Sequence, residues 1–126
     1  MFNTEKYVIY KRVSGGHNQK SGLGLDAQSD EINAFLQARN NYQIVDTFTE
    51  VQSGKDHENR PELMAAMDIA EKTKSTILVS RLCRLSRDLE FVAKLMKNPK
   101  INFKVATHPN ADNFTLAIYA TMNMRE

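Results

Sequence analysis

The segment Y-V-I-Y-K-R-V-S, residues 7–14, indicates which kind of fold this chain adopts. Its Val, Ile and Tyr content, with a glycine pair directly after it, predicts a β-strand. Apolar residues on both parities indicate a strand covered on both faces, as in a parallel sheet. Tyr10, Arg12 and Ser14 are expected on one face, at the carboxyl end where open α/β sheets place ligand sites. Taken alone, the segment is more typical of a buried strand that merely ends in a polar turn.

The rest of the chain alternates between helix and strand signals. Helices are predicted over 25–39, from Arg60-Pro61 onward, from Ser86 or Asp88 to Pro99, and from about Asp112 to the end; further strands are predicted over 42–48, 76–79 and 101–106, with a polar loop over 49–59. This order predicts an α/β fold with a mainly parallel sheet of four to five strands and helices on both faces, flavodoxin-like or Rossmann-like. The length of 126 residues suits one domain.

Composition narrows the function classes. The net charge is only +2, so any basic surface has to come from clustering of residues. Cys83 is the single cysteine, which excludes an internal disulfide and a Cys-rich zinc site and fits a reducing, cytoplasmic setting. The three histidines have no metal-ligand spacing, and the sequence contains no apolar run long enough to cross a membrane.

Two other segments stand out. The glycine-rich loop over 15–24 imitates a phosphate-binding loop at Lys20-Ser21, but Gln19 occupies the position that the motif gives to glycine. We therefore interpret it as a mobile loop beside the strand end. The last helix has almost no polar face, which predicts burial on more than one side and a partner subunit. It also lacks a stop signal, so the chain is expected to be a fragment cut within a helix.

Arginines cluster after the third predicted strand. Arg81, Arg84 and Arg87 recur at three-residue spacing from the carboxyl end of that strand, and Arg60 begins a helix at the same edge of the sheet. A charge run of this kind is usually a solvated face, paired here with Asp88 or Glu90. In a parallel sheet, however, Arg12, Ser14, Arg60, Arg84 and Arg87 would converge.

A hydroxyl among guanidiniums has a specific chemical meaning. Arginine presents a planar fork of donors that matches phosphate oxygens, and several arginines can neutralise a phosphoryl-transfer transition state without a metal. A serine among them is placed as the nucleophile. The residues thus suggest metal-independent phosphoryl transfer through a phosphoserine intermediate.

Five motifs in register resemble the catalytic domain of serine recombinases, the resolvase/invertase family. They are Y-K-R-V-S at 10–14, Gln28, E-V-Q-S-G at 50–54, R-P-E-L at 60–63 and R-L-S-R-D at 84–88. The resemblance covers essentially the whole chain. It implies one catalytic domain over 1–126, with 112–126 as the start of a long dimer helix that would continue towards a DNA-binding region absent here.

The resemblance also implies a chemistry. Ser14 would attack a DNA phosphate and become linked to the 5′ end, and strands would be exchanged within a tetramer built from homodimers on double-stranded DNA. No metal or nucleotide cofactor would be used. Arg12, Arg60, Arg84 and Arg87 match the family's phosphate-holding arginines, and Tyr10, Gln28 and Ser53 match supporting positions.

One residue departs from the family pattern. Cys83 stands where the family usually has Asp, and a thiol cannot orient an arginine as a carboxylate does. Three functions therefore remain open: an active recombinase domain, a catalytically weak or inactive assembly module, and a small phosphate- or nucleotide-binding domain. The failed phosphate loop and the excess of arginines count against the third.

Overall fold

The computed structural model describes residues 4–14, 24–52, 60–85 and 89–122. In chain order the elements are β1 (Glu5–Ser14), α1 (Leu25–Gln37), β2 (Tyr42–Gln52), α2 (Pro61–Thr73), β3 (Thr76–Val79), a 3₁₀ turn (Leu82–Arg84), α3 (Leu89–Met96), β4 (Asn102–Val105) and α4 (Asn113–Thr121). The described strands form a four-stranded sheet in the order β2-β1-β3-β4, with every neighbouring pair parallel. The predicted α/β class is confirmed.

The prediction that β1 is covered on both faces is also confirmed. Tyr7 and Ile9 pack with α1 on one face, through residues that include Ile32 and Phe35. Val8 and Tyr10, of opposite parity, pack into the larger cluster on the other face, which contains side chains of α2, α3 and α4. The central strand is therefore apolar at consecutive positions because each side chain faces a different helical layer.

β2 extends beyond its predicted end. The prediction placed a loop from residue 49, but the strand continues to Gln52 and stays in register with β1 as far as the pair Ser14–Gln52. The T-E-V-Q run hid the end of the strand, because Glu50 is of a type depleted in strands and Val51 is the one apolar residue of the run. Glu50 is consequently a strand residue and lies opposite Arg12.

α4 is fastened to β4 at its amino end. The Asn113 side chain accepts from Phe103 N at 2.8 Å and donates to Ile101 O at 2.8 Å. Asp112 caps the helix by accepting from Thr115 N at 2.9 Å, which lowers the pKa of that carboxyl. The helix buries one side and leaves Phe114 and Met122 73% and 66% exposed.

Candidate active site at the carboxyl edge of the sheet

Arg12 is held at its main chain by a side chain of α1. β3 pairs with β1 only from Tyr7 to Ile9, so the last residues of β1 have no β3 neighbour. The buried carboxamide of Gln28 substitutes for that neighbour: it accepts from Arg12 N at 3.1 Å and donates to Arg12 O at 2.9 Å. This pair of bonds satisfies buried backbone groups that would otherwise be costly to leave unpaired.

The Arg12 guanidinium is held by the 3₁₀ turn that follows β3. Its Nε donates to Arg84 O at 3.0 Å and its Nη2 donates to Cys83 O at 2.6 Å. The arginine side chain is buried, and the carbonyl dipoles are suitable acceptors for a guanidinium. At position 83 this hydrogen bond is accepted by the main-chain carbonyl, and Cys83 itself is exposed.

The 3₁₀ turn is in turn joined to α1 by an ion pair. Arg81 Nη2 donates to Glu31 Oε2 at 2.7 Å and Arg81 Nε donates to the same oxygen at 3.0 Å. Arg81 O accepts from Arg84 N at 3.0 Å and so begins the turn. Arg81 is therefore paired with a carboxylate that is distant in sequence, and Asp88, one of the two partners considered for this arginine run, lies outside the described residues.

On the other side of Arg12, a buried carboxylate fastens α2. Glu50 is 3% exposed and accepts three hydrogen bonds, from Glu62 N at 3.1 Å, Leu63 N at 3.1 Å and the Tyr10 hydroxyl at 3.0 Å. The first two donors are orphan N–H groups of the first turn of α2, where a negative charge is favoured. Burial, followed by the negative charge of Glu50, raises the pKa of Tyr10, so the phenol keeps its proton at alkaline pH values at which a free tyrosine would lose it.

Arg60 lies at the fastened end of α2. It is the N-cap residue, its carbonyl accepts from Met64 N at 3.0 Å, and its guanidinium lies 5.9 Å from the centre of the Phe91 ring. The residue is buried, and its charge opposes the rise in the Tyr10 pKa. Arg60 and Tyr10 thus belong to one electrostatic group organised by Glu50.

The structure brings most of the predicted site residues together. Arg12, Gln28, Cys83 and Arg84 are linked directly, and Tyr10 and Arg60 are grouped around Glu50. Ser14 is the last residue of β1, two positions beyond Arg12. Ser53 and Arg87 lie outside the described residues, as do residues 15–23 of the glycine-rich loop.

Sequence reasoning missed the two carboxylates that organise these groups. Glu50 was expected in a loop, and Glu31 was not singled out. A signal for Glu50 existed: it belongs to one of the motifs shared with the family and precedes the helix that Arg60 caps. No comparable signal identified Glu31, because its partner Arg81 lies 50 positions away.

Within 4–14, 24–52, 60–85 and 89–122, no three His, Cys, Asp or Glu side chains are grouped so that they could hold a metal ion. Across the same ranges, no helix is long and apolar enough to cross a membrane.

Three solved structures of recombinases are similar to this chain. The N-terminal catalytic domain of TP901-1 integrase is 29% identical, with a TM-score of 0.71 and 94% of each chain covered. A resolvase family site-specific recombinase from Streptococcus pneumoniae shares the fold at 22% identity, with a TM-score of 0.63 over 95% of this chain and 88% of the other. The C-terminal catalytic domain of ISC1926 TnpA, an IS607-like serine recombinase, shares it at 24% identity, with a TM-score of 0.59 over 79% and 68%.

The family comparison covers nearly the entire chain. A search of curated protein sequences returned no match. The profile of the family described as "Resolvase, N terminal domain" matches residues 7–126. This match begins at the first residue of the buried part of β1 and includes every element described after it. The chain belongs to the resolvase family of serine recombinases and corresponds to the family's N-terminal catalytic domain.

Proposed function

We propose that this domain cuts and rejoins double-stranded DNA during site-specific recombination, with Ser14 as the nucleophile. The observation that carries the proposal is the buried Arg12, held in place by main-chain carbonyls two positions before Ser14 on the same strand. A strand end fixed in this way can present a hydroxyl and a guanidinium to one phosphate with little loss of freedom on binding.

The proposed reaction is a reversible transesterification. The Ser14 oxygen attacks the scissile phosphorus, an O–P bond to serine forms, and the bond between phosphorus and the 3′ oxygen breaks. The serine gives up a proton and the departing 3′ oxygen gains one, which leaves a 5′-phosphoserine and a free 3′ hydroxyl. Attack by a 3′ hydroxyl on the phosphoserine reverses these changes and reseals the strand.

Four arginines are proposed to stabilise the charge of this reaction: Arg12, Arg60, Arg84 and Arg87. Guanidiniums bind phosphate oxygens through parallel donors and stabilise charge that develops in the transition state. Arg12 and Arg60 are buried residues, and in such surroundings a charge acts more strongly than it does in water. Tyr10, Gln28, Ser53 and Cys83 are proposed as supporting positions, and no metal or nucleotide enters this scheme.

The proposed assembly is a homodimer that pairs into a tetramer on DNA. An apolar groove of about 540 Å³ runs beside α4 and is lined by residues that include Met96, Pro99 and Ile118. Phe114 and Met122 are exposed at its border. A second copy of α4 is the proposed occupant, and Phe114→Glu should weaken self-association in sedimentation equilibrium.

The test of the chemistry is a covalent adduct. Full-length protein, incubated with its recombination site under conditions that trap cleavage, should yield a protein–DNA species that survives denaturation. Ser14→Ala should abolish this species, whereas Ser29→Ala, a matched change at a hydroxyl that bonds to Lys11, should leave it intact. Absence of an adduct from the wild-type protein would contradict the proposal.

An inactive assembly module is the second candidate, and Cys83 is the feature that favours it. The contact from position 83 to Arg12 comes from the backbone carbonyl, which any residue supplies. A role for the missing carboxylate in proton transfer would nevertheless be lost in this chain. If Cys83→Asp creates an adduct that the wild-type protein does not form, the inactive module is the better description.

A further inference from the structure

Arg12, α1 and the 3₁₀ turn form a closed circuit of contacts. The Gln28 side chain of α1 hydrogen-bonds to the Arg12 main chain, and the Cys83 and Arg84 carbonyls of the turn accept hydrogen bonds from the Arg12 guanidinium. Glu31 lies three residues beyond Gln28, on the adjacent turn of the same helix, and pairs with Arg81 immediately before the 3₁₀ turn. The ion pair therefore joins α1 directly to the start of the 3₁₀ turn, in addition to the contacts that both elements make with Arg12.

We propose that the Glu31–Arg81 pair is a positioning device for Arg12. It holds the 3₁₀ turn against α1, so that two carbonyl oxygens stay aligned with the guanidinium that is proposed to bind the scissile phosphate. The inference of a catalytic benefit rests on the function proposed above, but the positioning of Arg12 does not. Neither Glu31 nor Arg81 is assigned contact with the substrate.

The geometry of the pair suits positioning better than stabilisation. Glu31 receives two N–H groups of one guanidinium, at 2.7 and 3.0 Å on Oε2, and a third contact from Nε to Oε1 measures 3.3 Å. A forked contact of this kind fixes orientation as well as distance. The side chains of Arg81 and Glu31 are 43% and 28% exposed, respectively, and ion pairs in contact with solvent contribute little to the free energy of folding.

The hydrogen bond between Lys11 and Ser29 cannot replace the Glu31–Arg81 pair, because it joins α1 to β1 and not to the 3₁₀ turn. Lys11 Nζ donates to Ser29 Oγ at 2.9 Å, which joins the helix to the strand but does not reach the turn. Gln28 likewise acts on the strand main chain. Of the described side-chain contacts, the Glu31–Arg81 pair joins α1 to the segment that carries the Cys83 and Arg84 carbonyls.

Nuclear magnetic resonance of the Arg12 guanidinium tests the positioning directly. The Arg12 Nε–H signal is assigned by its loss in Arg12→Lys, and its exchange with water is measured. Glu31→Gln and Arg81→Gln should each speed that exchange by roughly threefold, as expected for loss of a partly exposed pair. The charge-swapped double variant Glu31→Arg/Arg81→Glu should restore slow exchange.

A matched control uses an ion pair remote from the turn. Asp68→Asn breaks the Asp68–Lys72 pair on α2, with atoms 3.0 Å apart, and should leave the Arg12 signal unchanged. An Arg12 signal that is unaffected by Glu31→Gln and Arg81→Gln in folded protein overturns the proposal. So does a double variant that leaves exchange as fast as in the single variants.

The adduct assay separates failure of this inference from failure of the proposed function. In full-length protein the single variants should slow adduct formation while DNA binding stays within twofold of the wild type, and the charge swap should recover the rate. If the wild-type protein forms no adduct but the Arg12 signal responds as described, positioning stands and the chemistry fails. If the wild type forms the adduct and the signal does not respond, the positioning inference fails alone.

Discussion

Arg12 and Arg60 are both buried at the same edge of the sheet, yet they are held by different means. Arg12 belongs to a strand, and the contacts described above join it to neutral groups: one carboxamide at its main chain and two carbonyls at its guanidinium. Arg60 belongs to a helix end, and that end is fastened by the charged carboxylate of Glu50. The α1 side of the site and the α2 side therefore depend on different physics.

The difference follows from what each element leaves unsatisfied. A strand that outruns its neighbour leaves an N–H and a C=O at one residue, and a carboxamide supplies the complementary acceptor and donor. A helix amino end leaves several N–H groups that point the same way, for which an anion is the best partner. Gln28 and Glu50 are thus matched to the backbone that each one serves.

The largest effect is expected on the α2 side. Glu50→Ala removes the acceptor of two helix N–H groups and of the Tyr10 hydroxyl, so we expect a loss of roughly 3 kcal/mol in the free energy of unfolding. Chemical denaturation measures it. The control Glu71→Ala changes a glutamate within α2, the helix that Glu50 fastens; its side chain is 52% exposed, and the change should cost less than about 0.5 kcal/mol. Equal losses would contradict the role given to Glu50.

A smaller loss is expected on the α1 side. Gln28→Leu keeps the volume but leaves Arg12 N–H and C=O without their side-chain partner, at a cost of about 2 kcal/mol. Gln37→Leu, at the exposed last residue of the same helix, serves as the control in the same denaturation experiment. A Gln28 variant as stable as wild type would show that water replaces the carboxamide without cost.

Alkaline pH should weaken both sides by a further, smaller amount. Burial and the neighbouring Glu5 carboxylate raise the pKa of Tyr7 to about 12, and the pKa of Tyr10 is raised as well. Because the pKa of each tyrosine is higher in the folded protein than in the unfolded chain, its contribution to the free energy of unfolding is fully present below the ordinary pKa of 10.0. That contribution is lost as pH rises from 10.0 through the pKa of the folded protein. We expect Tyr7 alone to cost about 1 kcal/mol by pH 11.

The contribution of each side can be separated by removing one phenol at a time. Tyr10→Phe should remove the part of the alkaline loss in free energy of unfolding that comes from the α2 side. Tyr7→Phe should remove the part that comes from the α1 side. Stability is compared between pH 8 and pH 11 for each variant. A steeper loss of the free energy of unfolding in either variant would contradict the raised tyrosine pKa values.

The smallest effect is expected at Cys83. Because Cys83 is exposed and its described contact with Arg12 comes from the carbonyl, Cys83→Ala should change the free energy of unfolding by less than about 0.5 kcal/mol. The Arg12 Nε–H resonance should also keep its position. A large shift of that resonance would show that the thiol takes part in holding the turn.

Much of the architecture follows from the pattern of residues alone. The alternation of strands with helices predicted the parallel sheet, and the double-sided apolar character of residues 7–10 predicted helices on both faces. The limits of β3 were predicted correctly because a short β-branched run between polar residues is unambiguous. The family was also recognisable from five motifs in register, and the family profile confirms it.

Tertiary structure decided how the site is held. Whether β2 ends at Phe48 or Gln52 depends on pairing with β1, which no local propensity encodes. The partners described above for Gln28, Glu31 and Glu50 lie 12 to 50 positions away, where residue type carries no signal. Sequence by itself determined which chemical groups gather at the edge of the sheet, because strand order and spacing bring them there. Only the folded chain determined which carboxylate, carboxamide or carbonyl holds each arginine, because hydrogen bonds depend on three-dimensional distance and direction.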